Sequence, residues 1–140
     1  MPKMIFVNLP VADLPRARAF YEAVGFTNEP RFTDETAACM VWSEAIFVML
    51  LTRAKWSEFT DRPICAAGAS EVSLALALDS RSEVDAFVAA AGANGGTVDV
   101  NPVQDHGFMY GRDVLDPDGH VWGPMWMDPE VANGDGPPHG

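Results

Sequence analysis

Hydrophobic positions change their period along this chain, and each change marks an element. Ile5-Phe-Val-Asn-Leu-Pro-Val11 reads as a strand, with successive side chains assigned to opposite faces. From Leu14 the spacing lengthens to that of a helix, and Leu14, Ala17, Phe20, Tyr21 and Val24 make one apolar face. Asp13 stands at the N-cap, Pro15 falls in the first turn where it removes no helical hydrogen bond, and Gly25 supplies the stop. Three further strand-like runs follow, over residues 28–33, 37–43 and 45–51.

The second half repeats this order. Residues 72–78 form an apolar run of strand length. Ser80-Arg-Ser-Glu83 has the pattern of a capping box, and Val84, Phe87, Val88 and Ala91 give the helix face, with Gly92 as its end. Strand-like runs then cover 97–102, 108–115 and 121–127. The result is β-α-β-β-β twice, with Asp13 corresponding to Asp79, 66 residues later. That interval is too long for a solenoid repeat and predicts a duplicated module. The expected architecture is one α+β domain over residues 1–128. Its modules cover about 4–51 and 70–128, and a linker at 52–69 carries Lys55, Trp56, Asp61, Pro63 and Gly68. The Gly- and Pro-rich tail at 129–140, with His139, has too few apolar groups to fold and is expected to be disordered.

Composition narrows the function. A length of 140 residues with 48% hydrophobic residues suits one domain with a real core. A net charge of −11 excludes a nucleic-acid partner, whose phosphates it would repel. No apolar run reaches the roughly 18 residues of a membrane span, so no membrane partner is expected. Met1-Pro-Lys-Met has no signal-peptide architecture, and Cys39 and Cys65 match no metal or redox spacing. Both observations predict a cytoplasmic protein with reduced thiols.

Two phrases carry a resemblance. The first is Val11-Ala-Asp13-Leu14, followed by Phe20-Tyr21 and Gly25-Phe26, and the second is Asp116-Pro-Asp118-Gly119-His120. With the duplicated module they resemble the vicinal oxygen chelate superfamily of glyoxalases, extradiol dioxygenases, fosfomycin-resistance enzymes and bleomycin-binding proteins. Segments 6–11, 48–51 and 104–112 look most like a bacterial glyoxalase-like group within it. The resemblance implies a curved mixed sheet around a cavity, often completed in a homodimer. It also implies four His or Glu metal ligands, whose places fall on Phe6, Met49, Ser73 and Gly123. None of these, nor any immediate neighbour, is a usual metal ligand, so no metal and no other cofactor is expected.

An apolar cavity floor is expected from Phe6, Phe47, Met49, Gly123 and Met125, with Asn8 and Ser73 to orient a ligand. The competing reading is that these side chains simply fill a core. Asp105, His106, Tyr110 and Asp113 form a polar cluster able to move protons in a metal-independent lyase or isomerase, or to act as loop caps and ion pairs. A metal site displaced onto Asn8, Glu71, His106 and His120 is a third possibility, and a scaffold without a ligand is a fourth. Asp118 and His120 read as turn chemistry, and Trp122 and Trp126 as packing under the helices or at a subunit contact. The leading expectation is a protein that holds a small organic molecule without metal, with a homodimer completing the site.

Overall fold

In strand β1 (Ile5–Val11), Leu9 and Val11 are buried while Phe6 and Asn8 are exposed, so the strand presents one face to a core and one outward. The computed structural model describes residues 3–132. Helix α1 (Leu14–Val24) begins where the Asp13 carboxylate accepts from the Arg16 N–H at 3.1 Å. It buries Leu14, Ala17, Phe20, Tyr21 and Val24, the face that the spacing predicts. Gly25 ends it at φ 122°, a backbone angle that favours glycine.

Strand β2 (Thr27–Glu29) is short, because Pro30–Phe32 closes a 3-10 turn stapled by Glu29 to Arg31. Strands β3 (Ala37–Val41) and β4 (Ile46–Thr52) complete a sheet in the order β1-β4-β3-β2. β1 lies parallel to β4, with Phe6 opposite Phe47 and Asn8 opposite Met49. The linker is not irregular throughout. Helix α2 (Arg53–Phe59) starts from Thr52, whose hydroxyl accepts from the Lys55 N–H, and it packs on β4 and β1.

The second module opens with β5 (Ser73–Leu78) and α3 (Arg81–Ala93). Ser80 caps α3 by accepting from the Glu83 N–H, and the helix runs one residue past Gly92 before closing at Asn94. The run expected at 97–102 shortens to β6 (Thr97–Val98), and β7 (Gln104–Asp105) follows it. The run at 108–115 divides into β8 (Met109–Gly111) and β9 (Val114–Leu115), since Pro124 stands opposite Arg112 in the shared register and, having no N–H, accepts from the Arg112 N–H without donating in return. Strand β10 (Val121–Met127) pairs with β5 in parallel and with both β8 and β9 antiparallel. A short helix, α4 (Pro129–Ala132), stands where the disordered tail was expected to begin. Residues 133–140 of that tail, His139 included, lie outside the described residues.

One hydrophobic cluster joins the modules. It contains Phe20, Tyr21 and Val24 of α1, Phe87, Val88 and Ala91 of α3, and Trp122 of β10. Each large apolar side chain fully buried there contributes about 1.5–3 kcal/mol. Among the described residues no helix is long and apolar enough to cross a membrane.

Candidate functional site

The face of the first sheet turned away from the helices carries Phe6 and Asn8 from β1, with Phe47, Met49 and Leu51 from β4. Phe6 is 52% exposed and lies flat on Phe47, with ring centroids 4.7 Å apart. At the other end of this face α2 covers Leu51, which is buried. A cavity of about 370 Å³ lies there, lined by Asn8, Leu51, Trp56, Phe59 and Thr60. Asn8, Trp56 and Thr60 also line a neighbouring cavity of about 480 Å³, between β1, the linker and the Asp118–Gly119–His120 turn.

The corresponding face of the second sheet carries Ser73, exposed, with Gly123 and Met125, half-buried. Gly123 and Met125 border a smaller cavity of about 180 Å³ with Met109 and Asp113. The Asp113 carboxylate fills the space above Gly123, lying 2.8 Å from where a Cβ would stand, and accepts from Asn101 at 2.9 Å. The positions expected to converge on one ligand are therefore divided between two sheet faces. None of these three cavities gathers more than one of Phe6, Asn8, Met49, Ser73 and Gly123.

The four places of the metal ligands hold a ring, a thioether, a hydroxyl and a bare backbone. They do not fit a divalent cation, which requires imidazole or carboxylate donors. Asp113 beside Gly123 offers a single carboxylate. Of the displaced set, Asn8, Glu71 and His120 border the 480 Å³ cavity, but the His120 Nε2 lies 2.8 Å from the Pro10 carbonyl. His106 pairs instead with Gln104 and stacks on Phe108. Among the described residues no three His, Cys, Asp or Glu side chains form a group able to hold a metal ion.

The candidate proton-transfer residues are each tied to a partner. Asp105 accepts twice from Arg81, at 2.9 Å both times, and this pairing holds its carboxyl down at about 2. Tyr110 donates to Asp85 at 2.6 Å, which pushes its own pKa up. Arg112 bridges Asp85 and Asp99, and hydrogen bonding draws both carboxyls below their ordinary range. Arg81 lies over the rings of Tyr110 and Trp126, whereas Trp122 is buried against α1. A carboxylate locked in an ion pair is a weak base, and these contacts join α3 to the second sheet. Cys39 is buried, which raises its thiol pKa, and Cys65 is exposed on the linker; both are free.

Sequence reasoning missed the part played by α2. Its signal was Thr52 three residues before Lys55, a cap without an apolar periodic face behind it.

The model of a bleomycin resistance protein-like N-terminal region matches residues 3–43. No curated protein matches the chain. Among solved structures it resembles a hypothetical protein from S. aureus, with 25% identity, TM-score 0.75, and coverage of 90% of this chain and 95% of that one. A glyoxalase/bleomycin resistance protein from Albidiferax ferrireducens is 26% identical, with TM-score 0.67 and coverage of 86% and 95%. A glyoxalase/bleomycin resistance protein/dioxygenase family enzyme from Burkholderia phytofirmans is 18% identical, with TM-score 0.73 and coverage of 90% and 99%.

Proposed function

We propose that this chain, which resembles the vicinal oxygen chelate superfamily in its N-terminal region and its fold, binds a small organic molecule without the superfamily's metal. The observation that carries this reading is the exposed aromatic face of the first sheet. Phe6 and Phe47 stand on an ordered seven-residue pairing of β1 and β4, yet no segment of the described chain covers Phe6. Contiguous apolar surface held outward by a rigid sheet marks a surface that meets a partner or ligand. Next to it the Asn8–Trp56 cavities have the size of small-molecule sites, about 300–1,000 Å³.

A second copy of the chain completes the site. Ile5, Phe6 and Val72 are each more than half exposed, and Ser73 lies open on the second sheet. Two copies that set the first sheet of one against the second sheet of the other would enclose both faces at once. Such a closed, two-fold arrangement is the commonest form of homo-oligomer.

Native mass spectrometry of freshly purified protein tests this function. The expected spectrum is a dimer retaining an organic adduct that chelator treatment leaves in place. Stoichiometric zinc, nickel, iron or manganese bound through positions 6, 49, 73 and 123 would overturn it.

A further inference from the structure

We propose that the cavity beneath α2 takes a neutral, largely apolar organic molecule bearing a hydrogen-bond-accepting oxygen, engaged by the indole N–H of Trp56. This rests on the binding function above and identifies the group that selects the ligand. Trp56 Nε1 is shielded from solvent and has no acceptor among the described residues. The contrast lies within the same chain. Trp122 is buried too, and its indole donates to the Tyr21 hydroxyl at 2.9 Å. A buried donor left unpaired is costly, so an oxygen brought to Trp56 recovers stability that the free protein lacks.

The surroundings define the rest of the ligand. Trp56 borders both cavities, and the smaller one adds Leu51, Phe59, Asn8 and Thr60, with no charged side chain. An ion entering that space would lose water without a counter-charge, which selects a neutral molecule. Phe59 is 69% exposed and offers a second ring at the mouth. The Asn8 amide forms no hydrogen bond among the described residues and can meet a second polar atom. Because the indole N–H is covered, the ligand oxygen reaches it only when the half-buried Trp56 ring turns.

Two probes of nearly equal shape separate the hydrogen bond from the apolar contact. Acetophenone carries a carbonyl oxygen, and α-methylstyrene replaces it with a methylene group. Each is titrated into uniformly 15N-labelled full-length protein, and the four indole N–H signals are followed by NMR. The ketone is expected to move the Trp56 signal downfield, leave Trp42, Trp122 and Trp126 in place, and bind about fivefold more tightly than the alkene. In Trp56→Phe that preference should vanish while the alkene still binds. The wild-type titration decides the matter even if the variant does not fold, since the other three indoles act as internal controls. Equal binding of both probes with the Trp56 signal unmoved overturns this proposal and leaves the binding function standing. No binding of either probe at millimolar concentration overturns both.

Discussion

The Tyr21 hydroxyl donates to the Asp116 carboxylate at 2.5 Å, linking α1 of the first module to the turn that precedes β10 in the second. Asp116 is buried, and its other oxygen accepts from the backbone N–H groups of Asp118 and His120, at 2.9 Å each. One carboxylate thus shapes the Asp-Pro-Asp-Gly-His turn and fastens it to the opposite module. Gly119 in that turn has φ 90°, and a Cβ there would meet the Ala67 carbonyl of the linker at 2.7 Å. The phrase that carries the resemblance in sequence is a joint in the structure.

Tyr21→Phe should cost about 1–3 kcal/mol in urea unfolding at pH 7, because it leaves a buried carboxylate one partner short. Burial already raises the Asp116 pKa, and the Tyr21 hydrogen bond works against that rise. The 13C titration midpoint of Asp116 should therefore move further up in the variant. The sign of the linkage is unusual for an acid. The folded state holds this proton more tightly than the unfolded chain, so stability falls as pH rises from 3.8 through the folded value.

Asp105 behaves in the opposite way. Arg81 and the Gly107 N–H hold its pKa at about 2, below the ordinary 3.8. Its contribution to stability is present above pH 3.8 and is lost as pH falls through about 2. In Arg81→Gln, carboxyl 13C NMR should show its midpoint returning toward 3.8. A midpoint that stays at about 2 in the variant would show that Arg81 is not the cause.

Two glycines should respond differently to the same methyl group. A Cβ at Gly96 would meet the Leu115 carbonyl at 2.6 Å and the Ala91 carbonyl at 2.8 Å, backbone atoms that cannot step aside. Gly96→Ala should cost about 1–3 kcal/mol or more in thermal or urea unfolding. At Gly123 the obstacle is the carboxylate end of the Asp113 side chain, held by one bond from Asn101. Gly123→Ala should cost less, and its cost should disappear in an Asp113→Ala background.

Phe6→Asp probes the open face. Phe6 is half exposed, so the variant should fold with only the loss of its stacking on Phe47, about 0.5–1.5 kcal/mol. Light scattering at micromolar concentration should show a dimer for the parent chain and a monomer for the variant. An unchanged dimer would place the subunit contact elsewhere.

Local signals in the sequence were legible because local chemistry decides them. Asp13 and Ser80 each cap their helix by bonding three residues ahead, and the buried positions of α1 and α3 follow helical spacing. Features set by distant partners were not legible. The Arg112 side chain reaches Asp85, 27 residues away. The partners of Asp105 and Tyr110 lie 24 and 25 residues off in α3, so a cluster dense in the sequence became a network of ion pairs and hydrogen bonds anchored on that helix. The division of the expected pocket positions between two sheet faces follows from how the modules pack, which no periodicity within a strand encodes.

Strand β10 also sets an order of events during synthesis. β5, β8 and β9 all pair with it directly, while β6 and β7 attach only through β9 and β8. The second sheet therefore has no core strand until residues 121–127 have left the ribosome. Until then the apolar run of β5 waits unpaired, some 45 residues upstream, as an edge open to other chains. Chaperone demand should concentrate on this interval, and a nascent chain from which residues up to Leu115 have emerged should aggregate more readily than one from which residues up to Thr52 have emerged, where β1 can pair with β4.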